Sequence, residues 1–371
     1  MTGALAGGAL ADGKTADSAY NRLFAAVLAD PANADLGLEY ARAALARGEP
    51  RKALSTYERI LLQDPGNDEA RVGLTRVRLL IAPAFTSWRA EAGLGASSNA
   101  RHATSDGNSN VFARGALSFR DERRLGDNRW RTLGSVRHNQ YGDVDELTAG
   151  LATISAGPML GGVGKFVILP AAGVSYSWLD GRSLYFETFG EISAESYSQE
   201  TLSSVGIRAA HRNIANRFSS LDAWVFDLKG RRSQRGLFGV TDVLSMAGRL
   251  RYSNATGTDT KDTDPSTPLF PGKYIEVRGK FAYAMPLFGD AVSGGPTLTA
   301  FSRSYRTPVS TGTAKDRRDF FFAPGAAMTF NDVCGRQCDV KFSYRFENNN
   351  SNDPAAEYET HVGGARIAVS F

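Results

Sequence analysis

Two hydrophobic periodicities divide the chain near Pro83. Up to that proline, apolar residues recur every three or four positions, as they do along one face of a helix. Residues 18–29, 35–47, 50–63 and 68–80 each carry Leu, Ala, Tyr or Val at this spacing, which predicts four helices. Beyond Pro83 the spacing drops to two. Trp88, Ala90, Ala92, Leu94 and Ala96 alternate with Ser87, Arg89, Glu91, Gly93 and Gly95. Val340, Phe342, Tyr344 and Phe346 alternate with Asp339, Lys341, Ser343, Arg345 and Glu347. Similar runs begin near Val111, Trp130, Leu147, Phe166, Leu184, Val205, Asp222, Leu244, Ile275, Leu298, Phe320 and Thr360. Together they predict about 14 strands of roughly 9 to 14 residues, separated by Gly, Asn, Asp and Ser.

Composition narrows the setting. Hydrophobic residues make up 42% of the 371 and charged residues 22%, as in a folded chain. The 43 Lys and Arg exceed the 39 Asp and Glu by a net charge of +4, too thin a surplus to imply a nucleic-acid partner. The longest apolar run, residues 166–174, contains Pro170 and falls far short of the roughly 18 residues a membrane-crossing helix needs. A helical membrane protein is excluded. A membrane β-barrel is compatible, because alternation keeps mean hydropathy low, here −0.27. At the start, residues 1–11 are almost all small or apolar and end in Ala9-Leu10-Ala11 before Asp12, like the tail of an export signal. The expected division is therefore a signal remnant or disordered segment over 1–16, helices over 17–82, and a barrel over 84–371.

Three features point the alternating face at lipid. The strand count is even, and the lengths suit tilted crossings of about 9 to 11 residues. Trp88, Trp130, Tyr252, Tyr274, Tyr344 and Phe346 lie towards strand ends, where interfacial girdles belong. The last strand alternates Ala365, Ile367 and Val369 and ends on Phe371, which resembles the terminal signal read by the barrel assembly machinery of bacterial outer membranes. Helices placed in the periplasm make the gaps after odd-numbered strands extracellular, including residues 97–110, 253–272 and 348–358. Residues 230–240 and 285–295 form long gaps of the opposite parity. Cys334 and Cys338 fall in the periplasmic turn before the thirteenth strand, where an oxidising compartment favours a disulfide.

The other face reads as a wet lumen. Alternation places Arg89, Glu91, Arg114, Glu187, Glu191, Arg249, Arg251, Glu276, Arg278, Arg303, Lys341 and Arg345 on it, and burying so many charges in a dry core is prohibitive. A barrel of 14 strands is also wider than side chains alone can fill. Residues 253–272 are the one segment long enough to fold inward as a constriction. Catalytic chemistry is not indicated. His102, His138, His211 and His361 are scattered, with no G-x-S-x-G, H-E-x-x-H or phosphate-binding glycine motif around them. Glu187 and Glu191 serve a lumen wall as readily as a dyad. No metal or cofactor is expected.

The helical part carries a repeat. Asp30-Pro31-Ala32-Asn33 recurs as Asp64-Pro65-Gly66-Asn67, an offset of 34 residues. Between them Ala41, Gly48 and Ala53 offer close helix approach, while Tyr40, Tyr57 and Leu61 fill the groove. This resembles a tetratricopeptide repeat, a 34-residue helical hairpin that binds peptides or partner proteins. A short segment of such repeats feeding directly into a barrel resembles the surface lipoprotein assembly modifier (Slam) family. The motif Gly93-Leu94-Gly95-Ala96-Ser97-Ser98-Asn99 and the Asn-rich run from Tyr344 to Asp353 add to the resemblance. It implies a two-part outer-membrane translocon that exports a protein cargo, recruited by the periplasmic helices. The same plan occurs in exopolysaccharide export porins of the cellulose and poly-N-acetylglucosamine systems, which implies a polysaccharide cargo instead. A passive porin or structural barrel is the third reading, although porins need no helical adaptor. Outer-membrane lipid is the expected surroundings in every case.

Overall fold

The computed structural model describes residues 8–64, 66–81, 84–104, 109–125, 128–161, 166–198, 200–215, 222–239, 241–255, 273–289, 291–308, 316–335 and 337–371. The chain divides into two compact units at Phe85 and Thr86. The first unit holds α1 (Gly8–Ala29), α2 (Ala34–Ala46), α3 (Pro50–Gln63) and α4 (Asp68–Ile81). None is long and apolar enough to cross a membrane. Helix α1 begins inside the stretch read as a signal remnant, ahead of residue 18. Ala9, Leu10 and Ala11 are strong helix formers, so the turn propagates back through them.

The 34-residue repeat has a direct physical meaning. Asn33 caps α2 by accepting from the Leu36 amide at 3.2 Å, and Asn67 caps α4 by accepting from the Ala70 amide at 3.0 Å. Each copy of Asp-Pro-x-Asn therefore starts a helix. Its Pro65 lies outside the described residues. Tyr40, Ala41, Ala53 and Tyr57 are buried in one core with Val27, Ile60 and Val77. Gly48 plays a different part from the one expected. It adopts φ +74° just past α2, and the Glu49 amide reaches back to the Ala44 carbonyl at 2.9 Å, a glycine-terminated helix end. The close approach is made by Gly73, where an added Cβ would sit 2.4 Å from the Tyr57 ring. Gly73→Ala should therefore destabilise the hairpin by about 1–3 kcal/mol of overpacking, against at most about 1 kcal/mol regained in helix propensity. Faster amide exchange in α3 and α4 of the full chain would register the loss, and unchanged exchange would contradict it.

Helix α1 is tied in by a polar contact. The Tyr20 hydroxyl donates to Glu49 at 2.6 Å and lies 3.1 Å from the Tyr40 hydroxyl. Hydrogen bonds from Lys52 and Tyr20 hold the Glu49 carboxyl below its usual range.

The second unit is a closed antiparallel barrel of 14 strands. They are β1 (Ala84–Ser97), β2 (Asn110–Leu125), β3 (Asn128–Tyr141), β4 (Ala149–Met159), β5 (Phe166–Leu179), β6 (Arg182–Tyr197) and β7 (Thr201–Ile214). The circuit continues through β8 (Ala223–Arg235), β9 (Val243–Ser253), β10 (Tyr274–Phe288), β11 (Val292–Pro308), β12 (Asp316–Phe330), β13 (Cys338–Ser351) and β14 (Tyr358–Ser370). Strand β14 pairs with β1 from Arg89↔Ser370 to Ser97↔Val362. Trp88 and Phe371 exchange two backbone hydrogen bonds of 2.7 and 3.0 Å, so the terminal residue completes the seam.

Several gaps close up into strand. Asn348, Asn349 and Asn350, expected in a loop, extend β13 and pair with Phe322, Phe321 and Phe320 of β12. The Asn348 amide donates to Glu359 at 2.7 Å and that of Asn349 to the Ala356 carbonyl at 2.7 Å, so their side chains join the ladder rather than disrupt it. Residues 230–235, 285–288 and 292–295 are likewise strand, which shortens the turns at the end reached by even-numbered strands. Long connections, residues 98–109 and 254–273, join strands at the other end. The segment expected to fold inward lies outside the described residues from 256 to 272.

Candidate functional site

Successive residues of a strand face opposite sides of the wall, so register assigns every side chain a face. Arg251 pairs with Asp227 and Glu276, Glu276 with Arg303, and Arg303 with Asp319. Lys341 pairs with Arg366, which stands opposite Gly93, two residues from Glu91. The twelve residues Arg89, Glu91, Arg114, Glu187, Glu191, Arg249, Arg251, Glu276, Arg278, Arg303, Lys341 and Arg345 all share this parity. Two ion pairs identify it as the inside. Arg131 of β3 meets Glu195 of β6 at 2.8 Å, and Lys229 of β8 meets Glu191 of β6 at 3.3 Å. These pairs skip over intervening strands, which only a concave wall permits.

The opposite parity is apolar and bare. Leu94, Ile192, Ile207, Phe226, Leu228 and Leu250 are exposed there, a band whose contact with water would be costly and whose contact with acyl chains is not. Trp88, Trp130, Tyr252 and Tyr344 edge this face as expected. Tyr274 does not. It shares the parity of Glu276, is buried, and lies under the Arg303 guanidinium at 5.0 Å. His138, His211 and His361 face outward beside Trp178, Trp224 and Tyr344, and so belong to the aromatic girdle. His102 sits in the β1–β2 loop, stacked on Tyr358 at 4.2 Å, where burial lowers its pKa.

Inside, the carboxylates are saturated by guanidinium groups. Glu276 is fully buried and accepts from Arg249 at 2.5 Å, Arg278 at 3.0 Å and Arg303 at 2.9 Å. Glu187 takes Arg208 at 2.5 Å and Arg212 at 2.8 Å. Asp227 binds both arms of Arg251 at 2.7 and 2.8 Å. Glu91 lies between Arg89 at 2.8 Å and Arg366 at 3.1 Å, and Glu347 pairs with Arg345. The arginines in turn cover aromatic faces: Arg208 lies 3.9 Å from the Phe189 centroid and Arg278 4.5 Å from that of Phe301. Glu187 and Glu191 are thus held by separate cations, Glu191 by Lys229, and form no acid–base dyad. No group of His, Cys, Asp or Glu suited to a metal ion occurs among the described residues.

Sequence reading missed Glu122, Arg212, Asp227, Lys229 and Arg317 on this face. Arg212 follows Arg208 at an even offset and was legible by counting. Asp227 was masked because Ala223 and Val225, its inward neighbours, are small and apolar. Between the networks the lumen keeps open space, a cavity of about 870 Å³ bordered by Arg137, Glu187, Glu191, Lys229, Arg249 and Ser370.

At the end reached by even-numbered strands, Cys334 and Cys338 are bonded, with Cα atoms 5.4 Å apart. The mass of the unreduced protein should fall two hydrogens below that of the reduced form. Replacing both by Ser should cost little stability, because so short a loop removes little chain entropy. Free thiols in natively purified protein would contradict this.

Comparison with known protein families matches the helical unit. Residues 9–76 match the tetratricopeptide repeat family. The N-terminal unit carries a tetratricopeptide repeat. A search of curated proteins finds no match. Among solved structures, the chain is similar to OccAB2 of Acinetobacter baumannii at 8% identity and a TM-score of 0.38, covering 78% of this chain and 98% of that one. It is similar to CdiB of Acinetobacter baumannii at 8% identity and a TM-score of 0.44, covering 76% and 60% respectively. A structure described as a bacterial polysaccharide outer membrane secretin matches at 10% identity and a TM-score of 0.41, covering 76% and 98%. These are likenesses of fold.

Proposed function

We propose that the protein is an outer-membrane channel that exports a protein cargo, a lipoprotein or small secreted protein, recruited by its helical repeats in the periplasm. The observation that carries this reading is the union in one chain of a peptide-binding repeat with a charged, water-accommodating barrel. Helix α4 ends at Ile81 and β1 begins at Ala84, so cargo held on the repeat is tethered to the barrel through the same chain, and tethering raises its effective concentration. The lumen offers many ion-paired groups rather than one deep pocket, which suits passage better than retention. The two-part plan is the one that the Slam resemblance implies.

A polysaccharide cargo is less well served. Neutral sugars stack on open aromatic faces, and here Phe189, Phe301, Tyr185 and Tyr274 lie under arginines. The test is co-expression with polypeptides encoded beside this gene, reading their surface exposure by protease accessibility on intact cells. Exposure that depends on this chain supports the proposal. A neighbouring glycosyltransferase, with surface polysaccharide lost on deletion of this chain, would overturn it in favour of polysaccharide export.

A further inference from the structure

The lumen charges do not balance locally. Every interior carboxylate named above has at least one guanidinium or ammonium partner, and Glu276 has three. Several interior cations have none: among the described residues, no carboxylate lies within ion-pair distance of Arg114, Arg137, Arg231, Lys280 or Lys341. Lys280 is the most telling. It lies two residues from Arg278 on its own strand, whose register partner on β9 is Arg249, and Arg249 borders the 870 Å³ cavity together with Arg137 of β3. Strands β3 and β10 stand on opposite sides of the closed circuit. Cations from facing walls therefore share one stretch of lumen. Lys280 also borders a recess of about 410 Å³ together with Lys229, Arg231, Arg249 and Arg278, in which the carboxylates of Glu191 and Glu195 are already paired with Lys229 and Arg131.

Like charges gathered in a channel with low-dielectric walls repel one another and focus a positive potential along its axis. An anion entering the stretch relieves the repulsion, whereas a cation adds to it. Lysine at the centre suits a transient visitor, because a point charge on a flexible stem accepts carboxylates without the rigid two-point grip of arginine.

We propose that the cations around Lys280 and Arg137 form an anion-selective gate in mid-lumen that favours acidic, carboxylate-bearing stretches of a polypeptide. This rests on the channel reading above and specifies which chemistry that channel passes. Neutral or basic stretches would meet a barrier at the same place.

Two measurements on the purified full chain separate the inference from the reading beneath it. In planar bilayers under a tenfold KCl gradient, the reversal potential should have the sign of chloride selectivity. Lys280→Gln with Arg137→Gln should shift it towards zero while heat-modifiable migration of the folded barrel is retained. A potassium-selective or unselective wild-type pore overturns the gate. A barrel that carries no current contradicts the open-channel reading, and the gate is then decided by binding. Fluorescence anisotropy with labelled oligoglutamate should show saturable binding that weakens at least tenfold in the double variant, and oligolysine should not bind. Equal binding of both peptides, of neither, or binding unaffected by the substitutions overturns the proposal. An Arg137→Lys, Lys280→Arg variant preserves both charges and should retain selectivity and binding. If it loses both, a specific shape rather than the charge is responsible, which is also contrary to the proposal.

Discussion

Deleting residues 8–81 is expected to abolish cargo delivery to the surface while the barrel still inserts and migrates as a folded band. The barrel satisfies its backbone internally, with β14 paired to β1 along the seam and Trp88 bonded to Phe371, so closure uses nothing from the helical unit. The helices are a separate compact unit with their own buried core. Without them, cargo must find the lumen from dilute solution and loses the enhancement that tethering supplies, on the order of 10²–10⁴. Surface proteolysis of the cargo on intact cells, beside heat-modifiability of the barrel, reads both halves. Undiminished delivery by the isolated barrel would make the repeat dispensable and leave a simple pore as the better account.

Glu276→Ala is expected to have the largest effect of any single substitution on barrel stability. The carboxylate is fully buried and holds Arg249, Arg278 and Arg303 at once, and the latter two crowd the Phe301 ring. Its removal leaves three guanidinium groups facing one another without an anion. Breaking a buried pair by removing one partner costs about 3–5 kcal/mol, largely the penalty of the charge left behind. The temperature at which the folded band converts to the unfolded one should fall markedly. Glu91→Ala should do less, since Glu91, Arg89 and Arg366 are all more exposed. Equal shifts for the two variants would contradict the ranking.

How much of this was legible in advance follows from what carries each feature. Alternation alone assigns Arg249, Arg251 and Lys341 to one face and Leu250, Phe342 and Ile367 to the other, because a strand has a period of two whatever its neighbours are. The same rule, applied through to Tyr274, would have placed that ring inside with Glu276. Aromatic residues near strand ends suggest the interface, but parity decides the side. Strand limits were harder. Asn348–Asn350 read as loop because asparagine favours turns, yet in the ladder their amides find partners on β14 and in the loop before it, so tertiary context overrides local preference.

In the helical unit, the 34-residue offset was visible because the capping asparagines repeat with it. Gly73 and Tyr57 are far apart in sequence, and nothing local marks the ring that lies where a side chain would be. The ion networks were the least legible part. Parity gives the face, whereas the meeting of Arg131 with Glu195 depends on barrel curvature, which no single strand encodes.

The claim on which the account turns is that cargo travels through the lumen, and two adjacent residues of β6 test it. Ser193 borders the interior cavity, and Ile192 faces outward on the exposed apolar band. A photo-crosslinking amino acid placed at each position in turn, in cells actively exporting the cargo, differs only in the side of the wall it samples. The account predicts cargo adducts from position 193 and none from 192. Adducts from 192 alone, or from neither while export proceeds, would show that the cargo bypasses the lumen and would contradict it.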